Sequence, residues 1–234
     1  LETVGTIQRL ATDRDITIVM IEHDIEIVME ISDTIAVLQN GRLIAEGPPA
    51  AVKQDETVRQ AYLGAETAQG TDVEEGSPHA PAGRSQEPEP LLSLADISAA
   101  YGQNTVLRGV SMDVARGETV SLIGRNGVGK TTTLRTIAGG LVPTAGTVVL
   151  AGQDVTSQPD FERIRRGMAY VPEDRRIFPN LTVAENLRMG EISGRDHQFT
   201  VEEVYDLFPR LRDRQTYLGQ QLSGGEQQML AIAR

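Results

Sequence analysis

An eight-residue, glycine-rich stretch has the residue types needed to hold phosphate groups. Residues 124–131 read Gly-Arg-Asn-Gly-Val-Gly-Lys-Thr, which fits the pattern G-x-x-x-x-G-K-[S/T]. Glycines let successive backbone N–H groups turn inward around an anion, the lysine brings positive charge to the outer phosphates, and the threonine hydroxyl suits Mg²⁺. We therefore predict a nucleoside triphosphate site, with Thr131 as a Mg²⁺ ligand, built from Gly124, Arg125, Asn126, Gly127, Val128, Gly129, Lys130, Thr131 and Thr132.

The residues on either side of this loop predict the elements that position it. An apolar run at 120–123 indicates a strand, and residues 130–138 have the pattern of a helix. A strand–loop–helix order places the loop at the positive N-terminal end of the helix, which favours phosphate. The rest of the C-terminal part is mostly helical, and its other predicted strands are 92–100, 106–114, 147–150 and one ending at Pro172.

The N-terminal part of the chain has its own alternation of strands and helices. A β-branched run at 16–21 predicts a buried strand, and residues 24–32 have helical spacing. Asn40-Gly41 between two apolar runs predicts a hairpin, because both turn positions favour positive φ. The pattern therefore adds strands at 35–38 and 43–45 and a last helix at 50–62.

A second glycine-containing motif opens the last predicted helix of the chain. Leu222, Ser223, Gly224, Gly225, Glu226 and Gln227 are consecutive, and Ser223 with Glu226 has the spacing of a capping box. The paired glycines also leave backbone N–H groups open to an anion. Taken alone, the motif fits an ordinary helix start as well as it fits a binding site.

Composition narrows the function classes. The net charge is −11, which argues against a general nucleic-acid binder, and the absence of cysteine excludes disulfides and thiolate metal sites. No apolar run approaches the ~18 residues of a membrane span. Residues 65–89 are rich in Gly, Pro, Ser, Glu and Ala and predict a flexible acidic linker. Because Leu1 is not Met, and because the sequence ends at Arg234 within a helical pattern that has no stop signal, we expect a fragment with both ends missing.

The two motifs together resemble the ATP-binding domains of ABC transporters, in which a phosphate loop is followed by a signature motif like residues 222–227. The resemblance implies the α/β fold of P-loop NTPases of the ABC ATPase type, truncated here, with an antiparallel β subdomain and a helical subdomain. It divides the chain into the C-terminal part of a first ABC domain (1–64), the linker (65–89) and the N-terminal two-thirds of a second ABC domain (90–234).

Four more residues match family positions through this resemblance. Tyr101 stands where an aromatic side chain stacks on adenine, and Val106 stands where the same base is touched. His23, in Ile-Glu-His-Asp, matches the switch histidine that contacts the γ-phosphate, and it would face ATP held by the first domain's own phosphate loop. Glu173 replaces the usual glutamine of the Q-loop. Its carboxylate can orient water or approach Mg²⁺.

Finer resemblance points to the ATPase subunits of branched-chain amino-acid importers. Residues 21–29 and 61–64 look like one of the two subunits, whereas Tyr-Val-Pro-Glu-Asp-Arg-Arg-Ile-Phe and the signature segment look like the other. A natural fusion of the two subunits is therefore expected, with an assembly artefact as the alternative. Related urea or amide importers, a soluble ABC ATPase acting on nucleic acid or ribosomes, and a nucleotide-binding remnant used only for assembly also remain open.

The family resemblance also implies ligands and partners. It implies ATP and Mg²⁺ as ligands. The implied partners are transmembrane permease subunits, a second ABC ATPase domain in cis or as a dimer and, indirectly, a periplasmic solute-binding protein. Nucleic acid is not among the implied partners. It implies a peripheral location on the cytoplasmic face of the plasma (inner) membrane. The full-length protein is expected to hydrolyse ATP. The 234-residue chain is expected to turn over negligibly, because it lacks the strand that brings the Mg²⁺-binding Asp and the catalytic Glu.

Overall fold

The computed structural model describes two compact units of the chain. The described residues are 5–7, 9–11, 16–63, 90–190 and 199–234. The larger unit runs from residue 8 to 168, and the smaller unit joins residues 1–7 to 169–234. The predicted linker lies outside the described residues. No helix in the described ranges is long and apolar enough to cross a membrane.

One sheet of the larger unit combines strands from both sides of the predicted linker. Its order is β1, β6, β2, β3, where β6 is parallel to both of its neighbours and β2 is antiparallel to β3. The predicted Asn40–Gly41 turn joins β2 to β3, with positive φ at both residues. The strands are β1 (Ile18–Ile21), β2 (Thr34–Gln39), β3 (Arg42–Gly47) and β6 (Thr119–Ile123).

The second sheet of this unit is antiparallel and comes from the chain after the linker. Its order is β5, β4, β7, β8, and the long hairpin of β4 and β5 turns at Gly102. Each of its longer strands lies within three residues of its predicted bounds. The strands are β4 (Leu92–Tyr101), β5 (Asn104–Val114), β7 (Ala145–Leu150) and β8 (Gln153–Asp154).

Alternation along β2 shows how the larger unit is packed. Ala36 and Leu38 join a buried cluster with apolar residues of the antiparallel sheet, so the two sheets share one core. Ile35 and Val37 point to the opposite face and pack in a second cluster with helical residues such as Val28. A strand covered on both faces is expected to be apolar at every position, as β2 nearly is.

The larger unit also contains short helices in its described residues, and two of them replace one predicted helix. The single helix expected at 50–62 is two helices, because the Asp55 carboxylate accepts the N–H groups of Thr57 and Val58 and starts a new helix. The helix after the phosphate loop begins at Lys130, as predicted. The helices are α1 (Ile25–Ile31), α2 (Pro49–Gln54), α3 (Glu56–Leu63), α4 (Lys130–Ile137) and α5 (Asp160–Arg165).

After residue 168, the described part of the smaller unit consists of an irregular segment at 169–181 followed by short helices. Its core contains Leu187, Phe208 and Leu230. The prediction of a strand ending at Pro172 was wrong. A strand needs a paired neighbour, and no described strand pairs with residues 169–172. The helices are α6 (Val183–Gly190), α7 (Val201–Leu207), α8 (Pro209–Asp213) and α9 (Gly224–Ala233). The parallel sheet, antiparallel sheet and helical unit agree with the α/β fold class that the resemblance implied.

Candidate nucleotide-binding site

The glycine-rich loop connects the end of β6 to the start of α4. Gly127 and Gly129 have φ values of 84° and 114°, which residues other than glycine rarely adopt. A Cβ at Gly129 would lie 2.7 Å from Leu107 Cδ2, so the Leu107 side chain would have to shift to make room for it. Gly127 has open space around it, and it is exposed together with Arg125 and Asn126. The loop thus has a close-packed end at the helix and an open rim.

Lys130 lies inside the curve of this loop. Its side chain is buried, and Nζ donates hydrogen bonds to the carbonyl oxygens of Gly124 at 2.6 Å and Arg125 at 2.9 Å. An ammonium group directed at the loop's own backbone oxygens can also bind phosphate oxygens there. The predicted role of Lys130 is therefore compatible with its position at the first turn of α4.

The three threonines after Lys130 differ in exposure. Thr131 is exposed at the first turn of α4, where its hydroxyl is accessible to a metal ion. Thr132 is buried, and Thr133 Oγ1 donates to the Gly129 carbonyl at 3.0 Å. Among the described residues, no group of three or more His, Cys, Asp or Glu side chains could hold a metal. The loop fits Mg²⁺ bound jointly by one hydroxyl and nucleotide phosphates, rather than an all-protein metal site.

The far end of α4 is held by a residue that sequence reasoning missed. Arg163 is fully buried, and its guanidinium donates to the carbonyls of Thr136 at 2.8 Å and Ile137 at 2.6 Å, at the helix C-terminus. Burial lowers the pKa of Arg163, and the negative charge of Asp154 partly opposes that shift. A cation suits the negative end of a helix dipole. Arg163 is one of several arginines in its segment, so its position could not be recognised from the sequence.

The β2–β3 hairpin turn lies against the glycine-rich loop. The Gly41 N–H donates to the Val128 carbonyl at 2.9 Å, and the Gly41 carbonyl accepts from the Arg108 N–H at 2.8 Å. A Cβ at Gly41 would run into the Val106 carbonyl oxygen. The turn was predicted from its dipeptide, whereas its contact with the phosphate loop could not be, because the two are far apart in the sequence.

The proposed adenine-contacting residues lie at the tip of the antiparallel sheet. Tyr101 ends β4 and is 43% exposed, and its hydroxyl accepts a hydrogen bond from Arg135 Nη1 at 3.4 Å. Since Arg135 is on α4, Tyr101 lies near the helix that begins at the phosphate loop. Val106 is half-buried and packs against the shared core. An exposed ring beside the loop helix is suitably placed to stack on a base.

His23 follows the carboxyl end of β1. Ile21 pairs with Leu122 of the parallel neighbour β6, so His23 and Gly124 each lie two residues beyond a paired position at the same sheet edge. The Glu22 carboxylate accepts the N–H of His23 at 2.9 Å, and Asp24 caps the next helix. His23 is exposed. The structure thus brings His23 to the sheet edge that carries loop 124–131.

The signature motif lies in the smaller unit and forms the predicted capping box. Ser223 Oγ accepts from the Glu226 N–H at 3.3 Å, and the Glu226 carboxylate accepts from the Ser223 N–H at 2.8 Å. That backbone N–H is the main reason why the pKa of Glu226 is lowered, with Arg214 adding to the effect. Leu222 is buried, whereas Ser223 and the two glycines are exposed. The capping box accounts for the presence of Ser223 and Glu226, but it does not require the two glycines between them.

Glu173 is exposed in an irregular segment of the same smaller unit. Two residues later, Arg175 has a φ of 59° and donates from Nη1 to Gln227 Oε1 at 2.9 Å. Gln227 Nε2 in turn donates to the Gly219 carbonyl at 3.1 Å. The structure therefore links the Glu173 segment to the signature helix through Arg175, a residue that sequence reasoning did not single out.

Comparisons with known proteins identify the family of the chain. The family model described as ABC transporter matches residues 107–234, and the model for the branched-chain amino acid ATP-binding cassette transporter matches residues 42–68. The chain is 42% identical to the high-affinity branched-chain amino acid transport ATP-binding protein BraG of Pseudomonas aeruginosa, over 62% of this chain and 63% of BraG.

Two further relatives differ in how much of the chain they match. A putative ABC transporter ATP-binding protein of Methanosarcina acetivorans is 27% identical over 98% of this chain and 43% of its own length. A solved ATP-binding subunit of an ABC transporter has a TM-score of 0.53 and 33% identity, over 61% of this chain and 60% of that one. The chain thus spans less than two thirds of each relative. Because one family model covers more than half of it, the chain belongs to the ABC transporter family.

Proposed function

We propose that the chain is part of an ATP-binding and ATP-hydrolysing motor subunit of an ABC importer for branched-chain amino acids. The observation that carries the proposal is the glycine-rich loop with Lys130 buried inside it. The name of BraG and the family description at 42–68 support the solute class. A related urea or amide importer is the alternative, because the proposed site would bind nucleotide and not the transported solute.

In this proposal the residues of the larger unit bind and orient ATP. The backbone N–H groups of 124–129 and the Lys130 ammonium hold the phosphates, Tyr101 and Val106 hold the base, and Thr131 shares Mg²⁺ with the phosphates. Mg²⁺, when bound, neutralises charge on the phosphate oxygens. The exposed N–H groups of Gly224 and Gly225, beside the Ser223 side chain, bind the terminal phosphate of ATP held by a second ABC domain. For Glu173 the proposed role is to orient water or to approach Mg²⁺.

The proposed organisation has two incomplete ABC domains in one chain. Residues 1–64 have the sequence of a first domain's C-terminal part, 65–89 are a linker, and 90–234 begin a second domain. The order of the two family matches supports this, since the one described for branched-chain transporters precedes the other. The Methanosarcina relative supports a natural fusion, because its similarity continues across 98% of the chain.

The proposed partners are transmembrane permease subunits, a second ABC ATPase domain and, indirectly, a solute-binding protein. The corresponding location is the cytoplasmic face of the inner membrane, as a peripheral subunit. The transport names of the relatives support these partners. The net charge of −11 disfavours the competing role on nucleic acid or ribosomes.

Binding of Mg-ATP by the 234-residue chain tests the proposal, and the chain offers a matched control. Its only two lysines are Lys53 and Lys130. We expect Lys130→Ala to weaken Mg-ATP binding at least about thirtyfold, because a hydrogen-bonded charge contributes roughly 2–3 kcal/mol. Lys53→Ala, on the surface of α2, should leave it unchanged. Calorimetric titration measures both affinities, and equal affinities for the two variants would refute the site.

A lysine-reactive acyl-phosphate derivative of ATP gives an independent reading. It should label Lys130 and not Lys53, and excess Mg-ATP should block the labelling. Hydrolysis is a separate question, and we expect negligible phosphate release from this chain. Turnover that is lost on Lys130→Ala would overturn that expectation while leaving the binding site intact.

A further inference from the structure

A side chain on α4 reaches the tyrosine that is proposed to stack on the base of ATP. We infer that Arg135 is a positioning residue for base binding, because its guanidinium holds the Tyr101 ring in place before the base arrives. Arg135 thereby strengthens the binding of the base and leaves the binding of the phosphates unchanged. This inference rests on the proposed function, since it requires ATP phosphates at Lys130 and a base at Tyr101.

The β4–β5 hairpin places Tyr101 at a defined distance from the phosphate loop. Tyr101 pairs with Asn104 across the turn, and Leu107 lies three residues further along β5. Leu107 is buried against the loop, since its Cδ2 atom lies 2.7 Å from the position of a Cβ at Gly129. A strand rises about 3.4 Å per residue, so Tyr101 lies about 10 Å from the loop along the strand. The sugar and first phosphate of a nucleotide can bridge that distance.

Packing alone does not fix the Tyr101 ring. The residue is 43% exposed and stands at the tip of the hairpin, where a Cβ at Gly102 would meet no atom within 4 Å. An exposed side chain that becomes ordered on binding loses conformational entropy, and this loss weakens the complex. A contact that orders the ring in the free protein therefore raises the affinity for the base.

The ordering contact comes from the exposed side of α4. Arg135 Nη1 donates to the Tyr101 hydroxyl oxygen at 3.4 Å. Arg135 lies one helical turn after Thr131, and both are exposed, whereas Thr132 and Thr136 are buried. The guanidinium is therefore on the same face of the helix as the proposed Mg²⁺ ligand, and its hydrogen bond joins that face to the hairpin tip.

Direct contact with phosphate is the alternative role for an arginine on this helix. A helix rises about 1.5 Å per residue, so Arg135 lies about 7.5 Å along the axis from Lys130, in the direction away from the loop. The side chain is directed to Tyr101 instead. Because the hydrogen bond is long and exposed, its expected contribution is about threefold in affinity.

Two ligands that share the same phosphates separate these roles. Mg-ATP has a base, whereas Mg-tripolyphosphate presents three linked phosphates without one. We expect Arg135→Met to weaken Mg-ATP binding about threefold in calorimetric titration and to leave Mg-tripolyphosphate binding unchanged. Unchanged tripolyphosphate binding also shows that the variant is folded. Arg116→Met is the matched control, because Arg116 is exposed in the turn between β5 and β6, and it should affect neither ligand.

Variants of the tyrosine show whether Arg135 acts through its hydroxyl. Tyr101→Phe keeps the ring and removes the hydroxyl, so it should weaken Mg-ATP binding as much as Arg135→Met does. The double variant should be no weaker than either single variant, because both changes break the same bond. Arg135→Lys keeps a donor and a positive charge and should recover part of the affinity. Tyr101→Ala should lose about tenfold, because it removes the stacking as well.

Other results overturn the inference. Equal losses for Mg-ATP and Mg-tripolyphosphate would mean that Arg135 acts on the phosphates or on the fold. Additive losses in the double variant, or no loss of Mg-ATP binding in Arg135→Met, would mean that Arg135 does not act through Tyr101. In each of these cases the proposed function stands if Lys130→Ala weakens the binding of both ligands. If the wild-type chain binds neither ligand, the proposed function and this inference both fail.

Discussion

Replacing Arg163 is predicted to destabilise the larger unit strongly, although Arg163 lies outside the proposed ATP contacts. Its guanidinium donates to four backbone carbonyls at distances of 2.6 to 3.1 Å, two at the C-terminal end of α4 and two in the segment just before α5. It is fully buried, and a Cβ at Gly139 would lie 2.8 Å from its Nε. The end of α4 and the segment before α5 thus surround the Arg163 guanidinium, which acts as the C-terminal cap of α4.

The magnitude follows from these contacts. Hydrogen bonds to charged groups contribute about 1.5–3 kcal/mol each, so four of them would sum to roughly 6–12 kcal/mol. The sum is too large, because burying the cation costs free energy and because water can reach some of the freed carbonyls. We therefore expect Arg163→Met, which keeps the volume, to lower the free energy of unfolding by about 3–5 kcal/mol. Arg163→Lys should lose about 2 kcal/mol, because an ammonium reaches fewer carbonyls.

Urea unfolding followed by circular dichroism measures these differences, and thermal unfolding should shift by about 10 °C for Arg163→Met. The matched control is Arg165→Met on the same helix. Arg165 is exposed and lies 5.8 Å from the Phe161 ring centroid, so its replacement should cost less than about 1 kcal/mol. Equal stabilities for the Arg163 and Arg165 variants would show that the buried cap does not hold the helix.

Three further predictions concern other parts of the chain. Gly41→Ala should cost at least about 2 kcal/mol more than Gly102→Ala in urea unfolding, because both glycines have positive φ but only Gly41 faces a carbonyl oxygen that a Cβ would meet. The pKa of Glu226 is lowered, so its stabilising effect is lost as the pH falls below about 4.5; Glu226→Gln should flatten the acid side of the stability profile. Asn186→Asp should destabilise by about 3 kcal/mol, since its buried Nδ2 donates to three carbonyls, while exposed Asn180→Asp should have little effect on thermal unfolding.

Features set by neighbouring residues were predictable from the sequence. The glycine-rich loop and the start of α4 at Lys130, the Asn40–Gly41 turn and the Ser223 capping box each depend on a few consecutive residues whose conformations are limited. The break at Asp55 depends on equally local chemistry, an acid that caps the helix after it. It was missed because the apolar spacing continues through it. The absent strand at 169–172 shows the opposite case, since a strand exists only when another pairs with it.

Features set by distant residues were not predictable from local patterns. Arg163 differs from its surface neighbours only in what it meets when the chain folds, and nothing in its spacing indicates burial. The contact of Gly41 with Val128 likewise joins residues far apart in the chain. Arg175 resembles a charged loop residue until its bond to Gln227 is seen. Sequence patterns thus predicted the candidate site, whereas the contacts that hold its elements in place appeared only in the structure.

The sharing of one sheet changes what the sequence resemblance means for function. Resemblance assigned His23 and Lys130 to two domains, each with its own ATP. The parallel pairing of β1 with β6 brings both to a single edge, and the core behind that edge contains residues from both sides of the linker. The stability of the phosphate loop is then tied to the N-terminal segment, because β6 has no other neighbours among the described strands. Loss of that segment would remove both neighbours of the strand that carries the loop, and with them the framework on which ATP binding depends.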